Sequence, residues 1–268
     1  MDSKRIISFL LLILCTLLSS CSIKEDRSGC PCYLTVDLSQ VLNASLTPPS
    51  WWDRDLRIAL LQDGTTIRES RVPYEEAQPE YVYQVPKGAV WVTGVLGLDA
   101  GLMEEGVVRY PEGQESDCLY VSSRLVPCEG EEARCVLEMY KQFSRIEILG
   151  LESFDYRMVV TAGCSGLDLR TREALEGRFR FPIQCEEDGS CHFRLPRQQS
   201  DDLMILLLDK QDGHLDNSIP LGRFLTDIGY DWNAASLSDV TVRVDFVTLS
   251  VSITISDWDR TVEFPFTV

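Results

Sequence analysis

The sequence predicts an all-β protein built as two tandem antiparallel β-sandwich domains. Three observations carry that expectation. Apolar residues recur at period two along most of the chain, turns rich in Gly, Pro and Asp separate the runs, and helical patterns are few and short. Many short strands punctuated in this way point to sandwiches rather than to alternating strand–helix units.

The elements follow in order. Leu34, Val36 and Leu38 alternate with Tyr33, Thr35 and Asp37, giving one apolar face. Residues 55–62 and 65–72 flank Asp63-Gly64, a tight hairpin signal because a primed turn needs φ > 0. Residues 81–85 and 89–96 are a second pair, linked by Pro86-Lys87-Gly88, and strands over residues 135–140 and 143–149 follow. After Gly150 the pattern restarts, with strands expected at 156–160, 178–183, 191–195 and 203–208. Val240, Val242, Val244 and Phe246 then share a face, as do Val251, Ile253 and Ile255. Val262, Phe264 and Phe266 close the chain, and Pro265 removes a ladder donor, so that last strand is expected at an edge. Helices are expected only at 171–176 and 221–228. No internal sequence repeat is visible.

The start of the chain reads differently. Lys4 and Arg5 precede an almost continuous apolar run over residues 6–18, the layout of a secretory signal. The run is shorter than the ~20 residues a membrane-spanning helix needs. Leu18-Ser19-Ser20-Cys21 resembles the lipobox of bacterial lipoproteins, in which cleavage precedes a cysteine that is then acylated; an ordinary secretory signal leaving Cys21 as a free thiol is the alternative. The expected organisation is a lipoprotein signal peptide over 1–20, a lipidated tether over 21–31, an N-terminal sandwich over 32–147 and a C-terminal sandwich over 148–268.

Removing residues 1–20 shifts the formal net charge from −17 to about −18. So acidic a chain is repelled by nucleic acid and by anionic lipid surfaces, which excludes nucleic acid as a partner and leaves membrane attachment to acyl chains. Ten cysteines, less Cys15 in the leader and Cys21 at the lipid site, leave eight. In an exported chain these suggest disulfides. Cys185 and Cys191 bracket a short loop, as do Cys128 and Cys135, and each pair could close it. Cys30 and Cys32 flank Pro31 too closely to bond each other easily, so each is expected to seek a distant partner. A zinc site is not expected, because the spacing is CxC rather than CxxC and only two histidines exist.

No catalytic constellation emerges and no cofactor is expected. His192 falls in a strand and His214 in a turn; no nucleophile elbow, phosphate-binding glycine loop or metalloprotease motif is present. Asp209 to Gly213 resembles part of a calcium loop but lacks the later bidentate Glu, and reads as a turn. Trp51 and Trp52 could form a stacking platform for sugars or could cap the first core.

Several stretches together carry a family resemblance. Residues 21–38 (CSIKEDRSGCPCYLTVDL), the strand and turn RDLRIALLQDG, Val85 to Gly88 (VPKG) and the terminal ISDWDRTVEF are similar to the fimbrillin-associated anchor lipoproteins of Bacteroidales fimbriae. The resemblance implies two tandem transthyretin-like, Greek-key sandwiches and a non-enzymatic structural role. The subunit would be lipid-anchored in the outer membrane at Cys21, face the cell exterior, dock other fimbrial subunits by β-strand addition and limit fibre length. Lys24, Glu25 and Asp26 resemble a surface-export signal. Val262, Phe264 and Phe266 form the candidate docking strand, with an ordinary closing strand as the alternative. A second functional reading is a glycan-binding surface lipoprotein of a polysaccharide-uptake system, using Trp51, Trp52, Trp91, Trp232 and Trp258.

Overall fold

The computed structural model describes residues 29–43, 54–99, 102–150, 156–211, 213–245, 250–257 and 261–265. Cys21, Lys24, Glu25, Asp26, Trp51, Trp52, Trp258 and Phe266 lie outside them. Within the described residues the fold is all-β, with one short α-helix and a single 3-10 turn at Tyr74–Glu76.

The first ten strands are β1 (Cys32–Asp37), β2 (Asp55–Gln62), β3 (Thr65–Pro73), β4 (Glu80–Val85), β5 (Gly88–Leu96), β6 (Leu102–Glu104), β7 (Val107–Arg109), β8 (Tyr120–Cys128), β9 (Glu132–Val136) and β10 (Tyr140–Lys141). Two sheets, ordered β4-β1-β9 and β10-β8-β5-β2-β3, enclose one core. Leu34 and Val36 of β1, Leu56, Ile58 and Leu60 of β2, and Val90 and Val92 of β5 are all fully buried there. Asp63 and Gly64 take φ of 51° and 80°, so the β2–β3 turn is the tight primed turn that Asp-Gly favours.

The remaining strands are β11 (Phe143–Leu149), β12 (Tyr156–Asp168), β13 (Ala174–Ile183), β14 (Cys191–Pro196), β15 (Met204–Asp209), β16 (Leu215–Ile219), β17 (Val240–Asp245), β18 (Ser250–Ile255) and β19 (Thr261–Pro265). Helix α1 (Leu221–Asp227) follows β16. One sheet is ordered β14-β11-β17-β18-β19; the other runs β16-β15-β12, with β13 on the far side of β12. A second core lies between them, with Ile146, Val160, Phe179, Leu195, Ile205, Val242 and Ile253 among its members.

The two sandwiches share one topology. In each, the first strand lies antiparallel to the fourth and parallel to a late strand: β1 to β4 and β9, β11 to β14 and β17. In each, the opposing sheet repeats one order, β8-β5-β2-β3 matching β16-β15-β12-β13. The duplication is invisible in sequence because an alternating strand constrains only which face is apolar, and many residues satisfy that.

Three expectations change. Residues 171–176 do not form a helix. The Asp168 carboxylate accepts the backbone N–H groups of Arg170 and Thr171, Arg172 takes φ of 61°, and β13 begins at Ala174. Residues 135–140 are not one strand. The chain leaves β9 at Val136 and crosses to the opposite sheet at Tyr140. Sheet membership passes from the first sandwich to the second at Gln142, between β10 and β11, ahead of the 147/148 boundary read from sequence. Ile146 and Ile148 bury in the second core, so β11 belongs to it.

Candidate functional site

The expected docking by strand addition would need a sheet edge and the expected tether would lead into β1, so the sheet edges and β1 are the candidate site. β19 stands at the edge of its sheet among the described residues, paired on one side with β18. Its side chains are already used. Val262 and Phe264 pack on the second core, and Phe264 stacks on Phe224 of α1 at 4.5 Å between ring centroids and 12° between planes. What β19 can offer a neighbour is therefore its outer backbone edge, not a row of unfilled apolar side chains. Phe266 lies outside the described residues.

β1, the strand that follows the residues expected to form the tether, takes the centre of its sheet, between β4 and β9. Its end is clamped. The Asp37 carboxylate accepts the backbone N–H of Ser39 at 2.8 Å and the Arg134 guanidinium of β9 at 2.6 Å, while Arg134 also reaches Glu80 of β4 at 2.6 Å. One guanidinium thus ties all three strands. The Ser39 hydrogen bonds, and then Arg134, hold the Asp37 pKa down at about 2. A depressed carboxylate pKa stabilises the fold above its unfolded value, near 4, and that contribution is lost as pH falls through the folded value. Asp37→Asn is expected to cost about 1–2 kcal/mol at pH 7, with Arg134 being exposed and so screened. The gap to the unmodified protein should close between about pH 4 and pH 2 in urea unfolding. A pH-independent gap would refute the clamp.

The contact between the sandwiches rests on a hairpin that the sequence reading missed. β6 and β7 belong to the first half of the chain, yet β7 pairs with the far end of β12 through Gly166↔Arg109, Leu167↔Val108 and Asp168↔Val107. Their turn residues Glu105 and Gly106 take φ of 49° and 78°. Val95, Leu98, Val108, Leu119, Val121, Leu167 and Leu169 close a third apolar cluster here, drawn from both halves. It covers the outer face of β5 and β8, which explains why Val95 and Val121 are fully buried although they point away from the first core. Glu104-Glu105-Gly106 between two short apolar runs was the available signal; runs of three residues fall below what periodicity resolves.

Other candidates find ordinary roles. His192 is exposed on β14, above a shallow surface groove lined by Glu115, Arg145, Glu147, Arg194 and Asp239. Of these charges, Glu115 pairs with Arg194, and Asp239 pairs with Lys141 beside the groove. Trp232 is buried edge-on against Tyr230 and presents no stacking face, while Trp91 is half-buried on β5. Cys185 and Cys191 form a disulfide. Cys128 and Cys135 carry separate thiols and both are buried; Cys32 is a buried thiol and Cys30 an exposed one.

No sequence-family profile and no curated protein matches the chain. Solved structures do. The fimbrial anchor protein of Porphyromonas gingivalis superposes with a TM-score of 0.60 at 13% identity, over 85% of this chain and 98% of that one. The chain has the fold of Bacteroidales fimbrial proteins. A candidate polysaccharide-binding protein of Bacteroides thetaiotaomicron gives a TM-score of 0.63 at 12% identity, over 87% and 98% of the two chains. A candidate adhesin of Bacteroides ovatus gives 0.56 at 13%, over 90% and 97%. The fimbrial fold therefore spans both sandwiches here, and at such identities the shared feature is the fold alone.

Proposed function

We propose that this protein is the membrane-anchoring subunit of a surface fimbria, tethered to the outer membrane through acyl chains on Cys21 and docking the next subunit along a sheet edge. The observation that carries the reading is the placement of β1. The strand that follows the tether sits in the middle of its own sheet, so the first sandwich is closed by its own chain and needs no strand from a neighbour. That arrangement suits a terminal subunit whose N-terminus is committed to the membrane. The likeness to a fimbrial anchor protein supports it. More than one acyl chain is needed, because a single chain gives only marginal, reversible membrane binding.

Cys21→Ala tests the anchor. Fimbriae should then be shed into the medium or overgrow, read by microscopy of cells and immunoblotting of medium. Fimbriae retained on cells at normal length would overturn the proposal. The structural likeness to a candidate polysaccharide-binding protein favours glycan binding as a second reading. Burial of Trp232 leaves that reading to Trp51 and Trp52 in the main. Trp51→Ala with Trp52→Ala should abolish glycan retention if it holds, and leave fimbria attachment unchanged if the anchor reading holds.

A further inference from the structure

Cys32 opens β1 and Cys128 closes β8, in opposite sheets of the first sandwich. The register brings them to one end of the core. Cys32 pairs with Val85, the last residue of β4, and Cys128 pairs with Gly88, the first residue of β5. Only Pro86 and Lys87 separate Val85 from Gly88, so the chain crosses between the sheets where the two cysteines sit. Both are 0% exposed and belong to the same apolar cluster. Strands β1 and β8 face each other across that core. The two thiols are within hydrogen-bonding reach of each other there, which is the approach a disulfide needs.

We infer that Cys32 and Cys128 form a disulfide in the mature protein, a covalent staple joining the two sheets of the first sandwich and fixing its N-terminal strand. The inference rests on the export reading, since persistent disulfides belong to oxidising compartments. In the reaction the two thiols lose two protons and two electrons as one S–S bond forms. A disulfide-bearing thiol oxidant accepts both, and its own S–S bond is reduced to two thiols.

The competing partner is Cys135, which the short Cys128–Cys135 loop suggests from sequence. Cys135 pairs with Val36, four residues along β1 from Cys32, which is roughly 13 Å at strand spacing. It therefore lies toward the other end of β1. The chemistry of Cys128 agrees: burial first, then the neighbouring Cys32 thiol that shares a hydrogen bond with it, push its pKa up to about 12, with Cys135 the smallest contributor. A thiol so protonated attacks slowly once the core has closed, so the bond is expected to form before or during folding.

The staple has a mechanical consequence. Load applied through the tether arrives first at β1, which is otherwise held by backbone ladders to β4 and β9 and by the Asp37–Arg134 clamp at its far end. A bond from the first residue of β1 to the opposite sheet transfers that load to β8 before any ladder is peeled. It also closes a loop of 96 residues, a length at which cross-linking strongly restricts the unfolded chain.

The test is peptide mapping under non-reducing, alkylating conditions on the full chain refolded in a glutathione redox buffer. A linked peptide pair holding Cys32 and Cys128 is expected. Cys135→Ser should leave that link intact, and Cys32→Ser should lower Tm by roughly 10 °C. A Cys128–Cys135 link, or all three thiols alkylated, overturns the inference. Because the map is made on the unmodified chain, it does not depend on whether Cys32→Ser folds. The same map on protein recovered from cells separates the two readings. Free thiols there, with pairing in the refolded chain, would overturn export rather than the pairing.

Discussion

Arg197→Ala is expected to lower the unfolding free energy by about 3–5 kcal/mol, among the largest effects of any single change in this protein. Arg197 is 4% exposed and lies just past β14. Its partners are neutral acceptors: the carbonyls of Trp232 and Ala234, the latter at 2.7 Å, and Oε1 of Gln142 at 3.1 Å. Burial pulls its pKa below the usual arginine value, yet guanidinium remains charged, so the carbonyls substitute for water around it. Gln142 is itself buried and is the residue at which the chain passes between sandwiches; its side-chain amide donates to Tyr140 and Ala235 carbonyls at 2.9 and 3.1 Å. Truncation at Arg197 would leave two buried acceptors and one half-buried acceptor without a donor and open a cavity, and each buried orphan costs about 1–3 kcal/mol. Arg197→Lys should recover only part of the loss, because one ammonium cannot span the same fork of acceptors. Urea unfolding measures both. A loss below about 1 kcal/mol for Arg197→Ala would show that water takes over the guanidinium's role.

The second large effect is expected at the hairpin. Val108 is 1% exposed between the two sandwiches, and Val108→Asp would bury a carboxylate with no partner, costing about 3–4 kcal/mol unless the hairpin leaves. Leaving is the cheaper route, so the cost should saturate at the free energy of undocking residues 97–119. Limited proteolysis should then cut within that segment, and small-angle scattering should show a larger radius, while both sandwiches keep their far-UV signature. Gly166→Ala should do the same by a different means. A Cβ at Gly166 would lie 2.2 Å from the carbonyl oxygen of Val108, a backbone atom that can move only if β7 lifts from β12. Unchanged proteolysis and radius in both variants would mean the sandwiches are coupled elsewhere, with the Gln142–Arg197 and Lys141–Asp239 contacts among the remaining links.

Much of the fold was legible because alternation is a local property. The Asp63-Gly64 hairpin and the paired faces of β17 and β18 needed no tertiary information: glycine at φ > 0 and period two are enough. The Cys185–Cys191 bridge was legible for a similar reason, six residues apart across a short loop. The hairpin at 102–109 was not, since strands of three residues are stabilised by what they pair with and by little of their own. Nor was Arg197, because a buried arginine satisfied by carbonyls carries no sequence signature; a charge in an interstrand segment reads as solvated until its surroundings are known.

The docking strand shows the same division. Val262 and Phe264 in alternation with an edge-marking proline are plain in sequence, and so is the edge position they predict. Whether those side chains face a partner or their own core depends on α1, whose Phe224 is some forty residues away and stacks on Phe264.

The sequence by itself determined an all-β chain, its acidity and the tight turns, because face polarity, net charge and left-handed turn residues are properties of a few adjacent positions. Only the tertiary structure decided that both sandwiches repeat one topology, that a hairpin from the first completes a sheet of the second, and that Cys32 lies at the same end of the core as Cys128. Each of these depends on which distant strands pair. That is set by the summed burial of many interchangeable apolar residues, and no short motif records it.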